Sequence, residues 1–284
     1  MRFASLFLGL AAVVAGDPLP PAQDVEARHS SGYWYEKIQH NGISPFIADG
    51  KNWKVFRNVK TDFGAKGDGI TDDWAAIQAA FDYANATEKR SSGAWGTTGA
   101  PAVVYIPAGT YRLSKPLQSY VDTVVMGDPI HRPVLQASPD FTDPFLYLGY
   151  DPNYDSTINF YIGLKNVVLD STKVPLTHNI TLLNWAVSQA VQLTNVLFNM
   201  PNGGVAHTGL SMPQGGSPLM INDVVFQGGS VGIRMNEQQY HFKGITFKSA
   251  LHPSYCNLTM YSTLSLILPN FSRPGHWLEA RQAL

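Results

Sequence analysis

The chain has 284 residues, of which 44% are hydrophobic and only 14% charged, and its formal net charge is −1. It can therefore bury one long core or two shorter ones, and with no basic run or stripe it has neither nucleic acid nor an anionic membrane as an expected main partner. With a single cysteine, Cys256, the chain either relies on its core rather than on a disulfide framework or has lost a partner cysteine.

Met1-Arg2 precedes an apolar run, Phe3–Ala15, with small residues at Val13 and Ala15. This order reads as a secretory signal peptide over residues 1–16, too short to span a bilayer; a buried N-terminal helix is the alternative. Residues 17–32 are polar and contain proline, a flexible leader. The expected location is extracellular. Four N-x-[ST] sequons, at Asn85, Asn179, Asn257 and Asn270, are candidate glycosylation sites on such a surface. Tyr33-Trp34-Tyr35 then places three aromatics in a row, read as a core plug or cap in preference to a platform for sugar rings.

Gly64-Ala65-Lys66-Gly67-Asp68-Gly69 is a glycine-rich turn, followed by Asp72 and Asp73 and then by Ala76, Ile77, Ala80, Phe81 and Ala84 at helical spacing. The two aspartates look like catalytic neighbours, but a helix N-cap explains both, and a structural cap is the reading adopted. After a Ser/Gly/Thr-rich loop, Val103–Ile106 is a β-branched and aromatic strand, stopped at Pro107-Ala108-Gly109 and resumed at Thr110–Leu113.

From there the informative feature is a repeat. Leu164–Asp170, Leu193–Asn199, Ile221–Gln227 and Phe242–Lys248 share the order apolar, polar, Asn/Asp/Gly, β-branched, variable, apolar, polar. Val121–Gly127 looks like an earlier, weaker copy. In a straight strand the first and fourth positions cannot share a face, so a bend is expected at the Asn/Asp/Gly position. Stacked in parallel, one per coil, such segments predict an all-β fold: a right-handed, single-stranded parallel β-helix over residues 33–250, with the Asp72–Ala84 helix capping its N-terminal mouth. An antiparallel sandwich is the alternative. No repeat is found in residues 251–284, a divergent C-terminal tail, read as the product of a truncated frame or as a genuine cap in which Leu264–Leu268 folds over the last coil.

Phe63–Gly69 with Thr71-Asp72-Asp73, followed by Ile106–Tyr111, resembles the opening of the pectate-lyase-like β-helix superfamily, which includes rhamnogalacturonases. Tyr33-Trp34-Tyr35-Glu36 with Gly42 and Ser44-Pro45-Phe46, then Val55–Val59, resembles glycoside hydrolase family 55, the exo-β-1,3-glucanases. So does Asn236-Glu237-Gln238-Gln239-Tyr240 leading into Gly244–Phe247. The likeness spans about residues 32–250 and corresponds to the N-terminal β-helix of a family built from two.

The resemblance implies inverting hydrolysis of β-1,3-glucan, which needs a general acid and a second group that positions water. It places the acid, a glutamate, in the second β-helix, so the general acid is expected to be absent here and the isolated chain inactive. Gln238 and Gln239 are the candidates for positioning water or substrate, with an outward ladder of glutamines as the bland reading. The expected partner is β-glucan or another cell-wall polysaccharide. A non-catalytic polysaccharide-binding β-helix and a pectin- or rhamnogalacturonan-active hydrolase are the alternatives. No metal and no cofactor is expected, because His178, His207, His241 and His252 lack metal-ligand spacing and no nucleotide loop is visible.

Overall fold

A computed structural model describes residues 33–45, 47, 50–83, 99–214, 219–236 and 239–248, together with the backbone of three later strands. The expected signal peptide and leader lie outside the described residues, as do Asn85, Gln238 and Asn270. The chain divides into two compact units, Met1–Ile38 and Gln39–Leu284. In the first, α1 (Trp34–Lys37) buries none of its residues, and Trp34 is 62% exposed. Within this unit the rings of Tyr33, Trp34 and Tyr35 pack on one another, with centroids 5.6 to 5.9 Å apart.

The second unit is a parallel β-helix. Its first coil contains β1 (Phe56–Asn58), β2 (Asp68–Asp72) and α2 (Trp74–Asp82); its second contains β3 (Ala102–Ile106), β4 (Thr110–Leu113) and β5 (Leu117–Gln118). The third holds β6 (Thr123–Gly127), β7 (Val134–Ala137) and β8 (Phe145–Leu148), the fourth β9 (Gly163–Asp170) and β10 (Ile180–Asn184). The fifth holds β11 (Gln192–Asn199) and β12 (His207–Met212), and the sixth β13 (Leu219–Asn222), β14 (Val225–Gln227) and β15 (Val231–Met235). The seventh adds β16 (Gln239–Lys243), β17 (Thr246–Lys248) and β18 (His252–Leu258); β19 (Thr263–Ile267) and β20 (Ala280–Gln282) continue the stack. These strands form a 13-stranded sheet, sheet A, and a 7-stranded sheet, sheet B. Every pairing is parallel.

The repeat is the register of sheet A. Leu164 lies opposite Leu193, Leu193 opposite Ile221, and Ile221 opposite Phe242. Three positions further on, Val167, Val196, Val224 and Ile245 are all buried, as are Leu169, Phe198, Phe226 and Phe247. The bend that puts these positions on one face is a left-handed backbone corner: φ is 57° at Asn166, 54° at Asn195, 54° at Asp223 and 67° at Gly244. Asparagine, aspartate and glycine tolerate this conformation best, which is why the template requires them there. At Gly244 glycine is needed for space as well, because a Cβ would come within 2.3 Å of Asp223 Oδ1. The corners also bond to one another, Asn195 Nδ2 donating to Asn166 Oδ1 at 3.0 Å. Inside, Phe198, Phe226 and Phe247 stack with centroids 4.7 and 5.2 Å apart.

Two expectations change. The copy expected at Val121–Gly127 is out of phase: Val125, not Val121, lies opposite Leu164, and Leu135 lies opposite Leu169. That repeat is Val125-Met126-Gly127 followed by Pro133–Gln136, divided by the turn Asp128–Arg132. Asp128 Oδ1 holds the turn by accepting the N–H groups of Ile130 and His131 at 2.7 and 3.1 Å. An insertion at a corner leaves register intact while destroying fixed spacing. Nor do the coils end at residue 250. β18 pairs with β15, Ile233 opposite Ser254, and β19 pairs with β16, Phe242 opposite Leu266. Thr263–Ile267 therefore extends sheet A instead of folding over its end, and its two-residue alternation, Leu264 and Leu266, suffices without the corner motif.

At the other end α2 buries Ile77, Ala80 and Phe81 against the first coils. Gln78 closes the edge of sheet B as a further strand would: its Oε1 accepts from Gln118 N at 2.9 Å and its Nε2 donates to Gln118 O at 3.1 Å. Below the helix, the inward position opposite Val104 is occupied by a charged residue, Arg57, fully buried. Its Nη1 donates to Ala80 O at 2.7 Å and its Nε to Lys54 O at 2.9 Å, and its guanidinium lies 5.0 and 4.9 Å from the Trp53 and Tyr83 rings. A cation is favourable there because the last carbonyls of a helix lack partners and carry partial negative charge.

Candidate functional site

Several of the described carboxylates serve the fold. Asp73 occupies the N-cap position of α2 but makes no side-chain cap bond; its two oxygens accept Lys66 N at 2.6 Å and Gly67 N at 2.8 Å. It thereby fixes the glycine turn, whose Gly67 O accepts from Thr110 N at 3.0 Å. The contact with the first helical turn is made instead by Asp72, which accepts from Trp74 N at 3.2 Å and from Ser114 N and Oγ at 3.1 and 2.5 Å. Asp170 is 5% exposed and is held by Thr172 and by Asn199. Hydrogen bonds hold the carboxyls of Asp68, Asp140 and Asp155 below the usual carboxylate range, Asp68 at about 2. A general acid needs the opposite displacement, so none of these three suits proton donation.

One pair has the appearance of nucleophile and base. Ser171 Oγ lies 2.9 Å from His207 Nδ1, whose Nε2 lies 2.9 Å from Pro175 O. Both residues are fully buried, out of reach of any polymer, and the pair serves to lock the fourth coil to the fifth. Burial pushes the imidazole of His207 below its ordinary pKa. Among the described residues there is no group of three or more His, Cys, Asp or Glu side chains able to hold a metal ion.

Among the described residues, a surface open to a ligand is the outer face of sheet A on the fourth to seventh coils, along the strand segments that precede the corners. Alternation along the strands sends one set of residues outward, and the register stacks them: Lys165, Thr194, Asn222 and Lys243 in one row, Gln192, Met220 and His241 in the next. At a rung spacing of about 4.8 Å the two lysines stand about 14 Å apart. Lys165 makes no ion pair among the described residues, and partial burial pushes its ammonium below the usual lysine range. At the rim before β9, Tyr161 stands 50% exposed in a left-handed conformation, φ 55°. Such a face offers ammonium, amide and hydroxyl groups to sugar oxygens and one aromatic plane to sugar C–H groups.

On the first coils the same face is closed. The ring of His40 stacks on Phe56 with centroids 3.5 Å apart, Phe56 stacks on Tyr105 at 5.7 Å, and Tyr105 is fully buried. Gln239 begins β16, two residues before His241, at the rim of the open part; its side chain and the whole of Gln238 lie outside the described residues. Sequence reasoning missed Tyr161, Lys165, Thr194, Asn222 and Lys243, because nothing local distinguishes them. The signal available was the second position of the repeat, polar in the four clear copies. Of the sequons, Asn179 lies exposed in the loop before β10, and Asn257 lies within β18.

Relatives share this chain's sequence over most of its length. An Arthroderma benhamiae protein named "Probable glucan endo-1,3-beta-glucosidase" is 36% identical over 266 residues, 90% of this chain and 29% of that protein. A "Glucan 1,3-beta-glucosidase" of Cochliobolus carbonum is 31% identical over 277 residues, 88% of this chain and 34% of that protein. A Penicillium expansum protein named "Non-secreted LysM effector LysM19" is 35% identical over 225 residues, 77% of this chain and 17% of that one. This chain thus spans about a third or less of the length of each. The model of the family described as rhamnogalacturonase A/epimerase, pectate lyase-like, matches residues 56–263, nearly all of the coiled strands, and the chain belongs to that family.

Proposed function

We propose that this chain is the glycan-binding portion of a secreted β-1,3-glucan hydrolase and that it holds the polysaccharide on the outer face of sheet A, without supplying the acid. The observation that carries the reading is the pairing of two facts. The relatives named for β-1,3-glucan align over about nine-tenths of this chain. The open face on the fourth to seventh coils presents Lys165, Thr194, Asn222 and Lys243 in register, with the exposed Asp223 at the corner beside Asn222. Such a face binds hydroxyl-rich polymers and cannot by itself complete an inverting pair, which needs an acid on one side of the sugar and a water-positioning group on the other. β16 begins at Gln239 on the same rim, and the resemblance to family 55 is what assigns water or hydroxyl contacts to Gln238 and Gln239.

Calorimetric titration with laminarin and, separately, with polygalacturonate tests this. Laminarin should bind and no glucose should appear. Lys165→Ala should weaken binding about tenfold, the loss of one hydrogen bond to a charged group, and Gln238→Ala should weaken it less. Release of glucose by this chain alone would contradict the assignment of the acid to another part of the enzyme. Tighter binding of polygalacturonate, or release of uronides, would move the substrate class to pectin.

A further inference from the structure

We propose that Asn179 carries an N-linked oligosaccharide, and that this glycan marks the corner 171–179 between sheets A and B as a solvent-facing side of the protein. The proposal rests on the secretion reading, since the donor of such a glycan is a lipid-diphosphate-linked oligosaccharide met in the secretory lumen.

Three observations single out Asn179. The first is the sequon itself, Asn179-Ile180-Thr181. The second is position: Asn179 is exposed, in the last loop residue before β10, and Lys173, Leu176 and Thr177 on the same loop are exposed with it. The third is that the fold makes no use of its amide. The side chains of Asn58, Asn159, Asn166, Asn195 and Asn199 are all committed to hydrogen bonds that fix turns or join coils. Asn179 makes none among the described residues. Converting a committed amide to a glycosylamide would remove a structural donor; converting this one removes nothing. Asn257 is the contrasting case, in a strand paired on both sides, with Cys256 opposite Met235 and Asn257 opposite Arg281.

The transfer balances without an oxidant. Nδ2 of Asn179 attacks C1 of the oligosaccharide, the bond from C1 to the diphosphate oxygen breaks with its electron pair leaving on the lipid diphosphate, and one amide proton passes to base. Leu176, 47% exposed, is apolar surface that an attached sugar on this loop can cover. The loop follows Asp170 at the C-terminal end of β9, whereas Lys165 is the third residue of that strand, and a glycan on the loop should leave Lys165, Thr194, Asn222 and Lys243 accessible.

The test expresses the full chain in a eukaryotic secretory host in two forms, one with its own N-terminus and one behind a foreign secretion leader. Peptides covering residue 179 are analysed by mass spectrometry before and after enzymatic deglycosylation in heavy-oxygen water. In the leader-fused form Asn179 should be recovered as labelled aspartate, Asn179→Gln and Thr181→Val should each lose one glycan in intact mass, and Thr181→Ser should retain it. An unmodified Asn179 peptide from lumenal protein overturns the site. If only the leader-fused form is glycosylated, the site stands and the secretion reading fails.

Discussion

The first coil and the fourth to seventh coils obey different rules, although both belong to one sheet. In the middle coils the inward row is Leu164, Leu193, Ile221 and Phe242, each with a neighbour above and below. In the first coil the same row holds Arg57, which has a rung on one side and helix carbonyls on the other. An interior rung can be satisfied by packing alone. A terminal rung must also answer unpaired backbone groups, and a buried guanidinium between two aromatic rings does so where leucine could not. The outer face differs in the complementary sense: closed by His40, Phe56 and Tyr105 where the coil is capped, open where the coil repeats.

The largest expected effect breaks the interior side of that comparison. Phe226→Ala removes the middle ring of the Phe198–Phe226–Phe247 stack and should cost about 3–5 kcal/mol, read as a lowered denaturation midpoint. A loss under about 1 kcal/mol would mean that the rungs do not pack as a continuous core. Next, Arg57→Leu should cost roughly 2–3 kcal/mol by leaving buried carbonyls unanswered, and hydrogen exchange should show the loss concentrated in α2 and β1. A uniform loss over all coils would contradict a purely terminal role for Arg57. At the corners, Asn195→Ala should cost about 1–2 kcal/mol through its left-handed backbone, and Asn195→Gly should recover part of it. The smallest effect is the pH dependence from His207. Its folded pKa lies below the ordinary value because burial disfavours the imidazolium. Its contribution is therefore intact above about pH 6.5 and is lost as pH falls below that, where the unfolded chain takes up a proton that the folded chain refuses. His207→Gln should flatten the thermal midpoint between pH 7 and pH 5 by removing this group, and an unchanged slope would exclude it.

Much of the fold was legible because its signals are local. Asn166, Asn195, Asp223 and Gly244 announce a backbone conformation that each residue adopts by itself, and their spacing gives the rungs. Val121–Gly127 misled because the five-residue turn after Gly127 divides the true copy, and Thr263–Ile267 escaped because the strand continues with alternation but no corner. Asp72 and Asp73 were legible as structural residues, while the division of roles between them depends on Ser114 and on the turn at Lys66-Gly67, which chain order does not bring together. The open face was hidden for the same reason. Lys165, Thr194, Asn222 and Lys243 are ordinary residues until parallel register stacks them.

The glycan-binding role of that face is tested most directly by hydrogen-exchange mass spectrometry of the full chain with and without a laminarioligosaccharide. Added protection is expected in peptides containing Lys165, Thr194, Asn222 and Lys243, and none in those containing Phe56 and Tyr105. Protection confined to the first coils, or absent at saturating sugar, would contradict it.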